Sequence, residues 1–487
     1  MKRGLFIYVF VSLVFGLGIC FILETGRTLT RHPRAHVVTP GAAAEASPTT
    51  AAKAVSESEA MPLLSGLQSN LRDPLSCLLL QLIIIIVVAR LLGSLFSQMG
   101  QPAVIGEMVA GILLGPSLFG WLAPKAFAFV FPLPSLPTLQ LLSQVGVCIF
   151  MFIVGMDLDV NHLRHRAPTA VVVSHASILF PYFLGVSAAL FLFSSLAAPG
   201  ASFVAFALFL GVSMSITAFP VLARILVERG LSDTSLGSLA ITCAAVDDVT
   251  AWSILAFVVA IAKADGLGSS ILTIGLLLGF VGLMVWGVRP RLPGWIGGPA
   301  LEADTVGKNV LAVVLAFLLA SALTTEVIGI HALFGAFLAG VVIPPQRRFR
   351  HRLKIRIEDF CSVFLLPLFF VFTGLRTQID LLNDSESWLI CLGVICIATL
   401  GKMGGSMVAA RLTGMGWNDS FALGALMNTR GLMELIALNI GFDLGVLSPR
   451  IFAMLVLMAL VTTFLTSPLL ALADHWKRKR VLVTGIP

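Results

Sequence analysis

Residues 241–252 read ITCAAVDDVTAW and place two adjacent carboxylates inside an apolar segment that runs from 234 to 262. Asp247 and Asp248 lie about 14 residues into that segment, near the bilayer centre if it is a spanning helix. A charged side chain at that depth costs free energy, so it usually has a functional role. Neighbours on a helix point about 100° apart, so one salt bridge cannot hide both groups. We therefore predict that the pair holds a proton or a hard cation such as Na⁺. The alternative is a pair buried against Arg or Lys for packing alone.

The composition indicates an integral membrane protein. Of the 487 residues, 57% are hydrophobic and 12% are charged, about half the charged share of a soluble domain. The mean hydropathy is +0.98, which no water-soluble fold can accommodate. For most of the chain, this composition excludes three classes of protein: a secreted disulfide scaffold, a nucleic-acid-binding protein and a soluble enzyme. The net charge of +7 lies in short loops, and the seven Cys show no metal-ligand spacing.

The hydropathy pattern divides the chain into four parts. Residues 1–23 are predicted to be an N-terminal anchor or signal-like helix, and residues 24–74 a disordered linker. Residues 75–473 form the membrane domain, and 474–487 a short basic cytoplasmic tail. Thirteen apolar segments fit only helices, because barrel strands are shorter and alternate in polarity. The predicted spans are 75–97, 103–119, 138–156, 169–196, 202–228, 234–262, 270–288, 307–325, 328–343, 359–375, 387–410, 418–440 and 451–473.

The positive charges in the loops predict the orientation. With the N-terminus inside, the inner loops hold 18 Lys and Arg and the short outer loops hold four. Six of the 18 lie in 347–356, within the predicted inner loop 344–358. We therefore expect a multi-pass protein of the cell (inner) membrane with both termini in the cytoplasm.

A weak internal repeat relates the two halves of the membrane domain. GEMVAGILLGP at 106–116 corresponds to GIHALFGAFLAG at 329–340, and segment 138–156 corresponds to 359–375. Both offsets are roughly 220 residues, and the span count places the members of each pair in opposite directions. Inverted repeats are typical of secondary transporters with a site near the midplane. Similar Gly-rich stretches also arise from helix packing alone.

Further polar groups at membrane depth are candidates for the same site. Lys402, in TLGKMGGSM, is the natural partner of the carboxylates because its small neighbours allow another helix to approach. The alternative is that Lys402 snorkels to the inner interface. Glu107 and Arg224 are better explained as gate or packing residues than as ligands of the ion.

Two segments are expected to be broken near the midplane. Pro220 follows Ser213, Ser215 and Thr217 in SMSITAFPVLARIL, and it frees carbonyls near residue 216 that can coordinate a cation. A simple Pro kink is the alternative. The second segment, 425–441, carries Asn428, Thr429, Arg430, Gly431 and Glu434 at membrane depth. The i, i+4 spacing lets Arg430 pair with Glu434. The two charges could instead neutralise the ends of an unwound stretch, or the pair could be purely structural.

These motifs together resemble the monovalent cation:proton antiporter-2 family, which includes CHX-like, Kef and NapA-type exchangers. The resemblance covers about residues 75–473 and rests on QPAVIGEMVAGILLGPS at 101–117, SITAFPVLARIL at 215–226, AAVDDVTAW at 244–252 and MNTRGLMEL at 427–435. It implies an all-α, NhaA-like inverted-repeat fold with thirteen core helices, a core domain and a dimerisation domain. The two crossed discontinuous helices would be 202–228 and 418–440, and the protein would be a homodimer.

The resemblance also implies the roles of the site residues. Asp248 would bind the monovalent cation or the proton, and Asp247 would pair with Lys402. An Asp-Asp pair with a Lys is similar to electrogenic sodium/proton exchangers, whereas Kef-type members show Gln-Asp and electroneutral members often Asn-Asp. No Gly-rich nucleotide-binding domain follows the last helix, which argues against regulation by NAD or glutathione of the Kef type.

The sequence thus predicts a secondary active Na⁺ or K⁺/proton antiporter, electrogenic, that serves pH and cation homeostasis. Its expected partners are cations, protons and the lipid bilayer, without cofactor or nucleic acid. One alternative is an electroneutral K⁺/H⁺ exchanger or K⁺ efflux system, and another is a membrane sensor that reuses the fold. We expect no enzyme, because an intramembrane aspartyl protease needs its two aspartates on separate helices.

Overall fold

A computed structural model describes residues 2–27, 29, 70, 73–157, 167–231, 234–263, 267–297, 301–302 and 305–484. This part of the chain is helical, and its only β-contact is an isolated bridge between Ala197 and Leu447. Three π-helical turns (Pro116–Gly120, Leu283–Val288 and Cys361–Leu365) and two 3₁₀ turns (Leu133–Ser135 and Ile379–Leu381) adjoin the helices. The α-helices are α1 (Lys2–Gly26), α2 (Pro74–Gln98), α3 (Ala103–Leu114), α4 (Pro124–Val130), α5 (Leu136–Asp157), α6 (Ala167–Leu196), α7 (Phe203–Ser215), α8 (Phe219–Glu228), α9 (Ser235–Lys263), α10 (Leu267–Gly282), α11 (Arg289–Ile296), α12 (Lys308–Ile328), α13 (Ala332–Val342), α14 (Arg347–Phe360), α15 (Leu366–Arg376), α16 (Ser385–Leu412), α17 (Trp417–Met427), α18 (Leu432–Asp443) and α19 (Pro449–Thr484).

The polytopic architecture agrees with the composition, although the number of spans is smaller by length alone. Among the described residues, ten helical segments are long and apolar enough to cross a membrane, or eleven if the bent pair α17–α18 is one span. All thirteen predicted spans contain helix, but α13 and α15 have only 11 residues each. The predicted count of thirteen is therefore not established by helix length.

Two close helix crossings connect the halves that the sequence repeat relates. Helix α3 packs on α15, and α5 packs on α13, so each Gly-rich member contacts the other repeat. Gly111 and Gly374 meet in the first crossing, and Gly155 and Gly340 in the second, where any side chain would overlap the opposing backbone. In both crossings, the Gly-rich helix of one predicted half meets the other helix of the opposite half.

Two interrupted helices, α7–α8 and α17–α18, meet at their breaks. Between α7 and α8 the residues 216–218 are non-helical, and between α17 and α18 the chain unwinds at 428–431 with a bend of 44°. The two breaks touch, because the backbone N–H of Ala218 donates to the carbonyl of Thr429 at 2.9 Å. Pro220 lies in the first turn of α8, where its missing N–H costs nothing, so it starts a half-helix and does not kink a continuous one.

Two features at the ends of the chain differ from the sequence expectations. The anchor helix extends to Gly26 and packs on α6 through Phe15, whose ring lies 5.0 Å from that of Phe183. Most of the predicted linker lies outside the described residues. The predicted tail begins inside α19, which continues to Thr484.

The predicted inner loop 344–358 is mostly the amphipathic helix α14. Its apolar residues Phe349, Leu353 and Ile357 recur every four positions and are buried against the protein. Arg350 donates to the carbonyls of Met156 (2.8 Å) and Ile343 (2.6 Å), near the ends of α5 and α13. The density of positive charge concealed this helical period in the sequence.

Candidate functional site

The two adjacent carboxylates lie in the middle of α9 and are buried in very different surroundings. Asp247 is 0% exposed and Asp248 is 2% exposed. Helix α9 packs on α6, α7, α8 and α17, so α6 and helices from both interrupted pairs surround the two carboxylates. Adjacent positions on one helix point in different directions, which lets one carboxylate be saturated with donors while its neighbour has none.

Asp247 is the saturated carboxylate. Its Oδ2 accepts hydrogen bonds from the hydroxyls of Ser177 (2.7 Å) and Thr217 (2.8 Å) and from Lys402 Nζ at 2.9 Å. Its Oδ1 accepts a short hydrogen bond from the hydroxyl of Ser174. Four donors suit an ionised carboxylate, because each hydrogen bond to the charged form stabilises it.

Lys402 forms the expected ion pair and does not snorkel to the membrane surface. Its side chain is 0% exposed. Besides Asp247, its ammonium contacts the backbone carbonyl of Ser215 at 2.5 Å and the hydroxyl of Ser177 at 3.3 Å. The Lys therefore holds together the last turn of α7, the middle of α9 and its own helix α16.

Asp248 is the carboxylate with open ligand positions. Neither of its oxygens has a hydrogen-bond partner in the described part of the protein. Phe219, the first residue of α8, is close to the group, so the positive end of that half-helix is near Asp248. A buried carboxylate without partners is unfavourable, so a proton or a cation is the natural occupant.

Arg430 occupies the carbonyls that the sequence offered to a cation. One guanidinium nitrogen donates to Ser213 O (2.5 Å) and pairs with Glu434 at 2.9 Å, and the other donates to Met214 O at 2.7 Å. With Lys402 on Ser215 O, positive side chains hold three successive carbonyls at the negative end of α7. These carbonyls, which the sequence offered to a cation, accept hydrogen bonds from Arg430 and Lys402 in the structure, and cation coordination near residue 216 stays a prediction.

The remaining predicted residues of the second break surround the same crossing. Asn428, Thr429, Arg430 and Glu434 are all 0% exposed. Helix α19 fixes this stretch: the amide of Arg430 donates to the hydroxyl of Thr463 at 2.9 Å, which donates back to the Arg430 carbonyl at 2.8 Å. The side-chain oxygen of Asn428 and one oxygen of Glu434 have no partner among the described residues.

Glu107 lies on α3 and Arg224 on α8, and their assignment to a gate or to packing stays a prediction. Glu107 on α3 is 7% exposed, Arg90 faces it at 3.9 Å, and Arg224 on α8 is a second cation in its surroundings. Arg224 itself is exposed.

Sequence reasoning missed two serines of the site, Ser174 and Ser177. Both lie on α6, are 0% exposed and donate to Asp247. A Ser in an apolar segment usually hydrogen-bonds its own helix, so composition gave little signal. The i, i+3 spacing in VVVSHASILF is the one feature that places both hydroxyls on one face.

Comparison with known proteins places this arrangement in context. Residues 83–472 match the family described as sodium/hydrogen exchanger, transmembrane. The Na⁺/H⁺ antiporter NhaS4 of Synechocystis sp. is 43% identical over 400 residues, which cover 82% of this chain and 97% of that protein. Cation/H⁺ antiporter 17 of Arabidopsis thaliana is 42% identical over 406 residues, covering 82% of this chain and 49% of the relative.

A yeast relative and a solved structure extend the comparison. K⁺/H⁺ antiporter 1 of Saccharomyces cerevisiae is 34% identical over 418 residues, covering 84% of this chain and 48% of the relative. The chain thus spans about half the length of the plant and yeast proteins. The structure of the sodium proton antiporter MjNhaP1 from Methanocaldococcus jannaschii aligns with a TM-score of 0.58 at 15% identity, over 80% of this chain and 96% of that one. At that identity the likeness concerns the fold.

Proposed function

This chain belongs to the sodium/hydrogen exchanger family, and we propose that it is a secondary active antiporter that exchanges a monovalent cation, Na⁺ or K⁺, for protons. The observation that carries the proposal is the contrast between the two carboxylates on α9. Asp247 has four donors, whereas Asp248, one residue further, is buried with none. Asp248 is thus the position where a bound ion relieves an unfavourable state.

Exchange follows from competition for Asp248. A proton and a monovalent cation each satisfy its carboxylate, but they cannot do so together. An unpartnered carboxylate is the most costly form to move through a protein interior, so the empty site should stay on one side. Only the protonated or the cation-loaded site then crosses, which couples the two fluxes.

We further propose that the Lys402–Asp247 pair makes the exchange electrogenic. Cation binding at Asp248 adds a positive charge beside the ammonium and favours opening of the pair. Lys402 can then give up its proton, so that two protons move against one cation. An electroneutral exchange or a K⁺ efflux system remains the second candidate, favoured by the yeast relative named as a K⁺/H⁺ antiporter.

The finer architecture belongs to the same proposal. The protein would have a dimerisation domain around the crossings of α3 with α15 and α5 with α13. Its core domain would surround the crossed breaks of α7–α8 and α17–α18. Thirteen spans arranged as an inverted repeat, a homodimer, and a cell-membrane location with cytoplasmic termini complete it. The protein would act as a transporter without cofactor and not as an enzyme or a sensor.

Substitution of the proposed ligand tests the function. We expect Asp248→Asn to abolish cation-dependent proton flux in proteoliposomes, with Na⁺, K⁺ and Li⁺ supplied in turn. The matched control is Asp359→Asn, which neutralises an exposed carboxylate on α14 and should leave flux intact. Both variants should be monodisperse after purification. Substantial exchange by Asp248→Asn would refute the assignment, and wild-type protein without exchange would refute the function itself.

A further inference from the structure

The two serines on α6 have contacts that go beyond helix packing. Ser174 and Ser177 lie three residues apart, so their hydroxyls share one face of the helix. The hydroxyl of Ser174 reaches Oδ1 of Asp247, and that of Ser177 reaches Oδ2 at 2.7 Å. Each carboxylate oxygen of Asp247 thus has its own donor from α6, independent of Lys402.

Ser177 has one hydroxyl proton but two acceptors within reach. Besides Asp247 Oδ2, the backbone carbonyl of Ser174 lies 2.8 Å away. Lys402 Nζ can donate to the same hydroxyl at 3.3 Å. A rotation about the Cβ–Oγ bond is therefore sufficient to direct the proton to the carboxylate or away from it, without displacement of any helix.

This choice of acceptor matters when the ion pair opens. While Lys402 contacts Asp247, the carboxylate is neutralised and the Ser177 proton is not essential to it. After Lys402 has moved away, Asp247 is a buried anion that keeps only hydroxyl donors. Removing one partner from a buried pair is strongly unfavourable unless other donors take its place.

We propose that Ser174 and Ser177 are positioning residues that support the charge of Asp247 when Lys402 detaches, and that they thereby set how readily a cation opens the pair. This inference rests on the proposed antiport, in which cation binding at Asp248 drives the opening. Loss of the hydroxyls should make opening more costly, and that cost is subtracted from cation binding. The serines hydrogen-bond Asp247 and not Asp248, so they act through Asp247.

The inference predicts a specific change in cation affinity. Hydrogen bonds to a charged group are strong enough that each Ser→Ala change should raise the half-saturating cation concentration by about tenfold. The variants are Ser174→Ala, Ser177→Ala and the double variant, assayed by cation-dependent proton flux in proteoliposomes. Ser177→Thr keeps a hydroxyl and should restore much of the loss. Ser187→Ala is the matched control, because that hydroxyl on α6 bonds only the Phe183 carbonyl, at 2.8 Å.

A second background separates positioning from packing. In Asp247→Asn with Lys402→Gln no pair remains to open, so adding Ser174→Ala and Ser177→Ala should leave the half-saturating concentration of that background unchanged. An equal rise in both backgrounds would show that the serines only pack, and would overturn the inference. So would unchanged affinity in the single alanine variants, each of which removes too little to unfold the protein. If the wild-type protein shows no exchange, the proposed function fails before the serines are tested.

Discussion

Neutralising the Lys402–Asp247 pair should remove the voltage dependence of exchange. The two groups are 2.9 Å apart and fully buried, and Asp247→Asn with Lys402→Gln replaces both by amides that can still hydrogen-bond. Exchange then proceeds through Asp248 with one proton per cation, and no net charge moves. In the cycle proposed for the wild-type protein, two protons exchange for one cation and one charge moves per cycle.

The size of the effect follows from that single charge. One elementary charge in about 100 mV corresponds to about 2.3 kcal/mol, so a wild-type exchanger at equal pH should sustain an approximately 50-fold cation gradient. The double variant should sustain none. The assay holds proteoliposomes at a fixed membrane potential of about −100 mV and measures the internal cation concentration at steady state.

The control replaces an ion pair of similar length that is partly exposed. Lys354 and Asp157 are 2.8 Å apart and partly exposed, so Lys354→Gln with Asp157→Asn should keep the full gradient. Equal gradients in the wild-type protein and the Asp247/Lys402 variant would show that the buried pair is structural. The Asp-Asp pattern would then not determine the stoichiometry.

Three further predictions test the architecture. Arg430→Met should destabilise the purified protein by about 3 kcal/mol, more than Glu434→Gln, because Arg430 also holds two carbonyls of α7; equal thermal stability of the two variants would contradict this. Gly374→Ala should cost about 1–3 kcal/mol by overlap with Gly111, whereas Gly404→Ala, in open space on α16, should be neutral or stabilising in the same melting assay. A Cys at Arg356, an exposed position on α14, should react with impermeant reagents only from the cytoplasmic side, in a background without Cys20 and Cys396; labelling of intact cells from outside would refute the topology.

The charged centre of the site could be predicted because membrane depth makes charge informative. Asp247 and Lys402 are each costly alone in hydrocarbon, and the structure places them in contact. The same reasoning predicted that Arg430 and Glu434 pair at i, i+4, as they do at 2.9 Å. The functional role of these groups stays a prediction, to be decided by the flux measurements.

Polar groups without charge gave no comparable signal. Ser174 and Ser177 cost little in an apolar helix because each can bond the backbone of its own turn, so their contact with Asp247 depends on how α6 packs on α9. The sequence also did not show that side chains bond the carbonyls at the end of α7, because these contacts depend on helix packing as well. Pro220 predicted the break, but only the tertiary arrangement brings Arg430 onto Ser213 and Met214.

Helix α14 illustrates a different limit. Its charges correctly marked a surface segment, yet they concealed the apolar period of Phe349, Leu353 and Ile357 that fixes the helix on the protein. Helix length does not establish the predicted number of spans, because α13 and α15 are each too short to cross a membrane by themselves. Their crossings depend on paired glycines that lie more than 180 residues apart in the chain.

The charges at the crossing lead us to propose that Lys402 decides between electroneutral and electrogenic exchange. Arg430 and Glu434 cancel each other, so the sum depends on Asp247, Asp248 and Lys402. With Asp248 protonated and Lys402 charged, the three groups sum to zero. If Lys402 keeps its proton when a monovalent cation replaces the proton on Asp248, the sum is again zero and exchange is electroneutral. If Lys402 releases its proton, the cation-loaded site carries one negative charge, and the cycle moves one charge across the membrane. The hydroxyl donors around Asp247 favour this second outcome, because they stabilise the anion that the departing ammonium leaves behind.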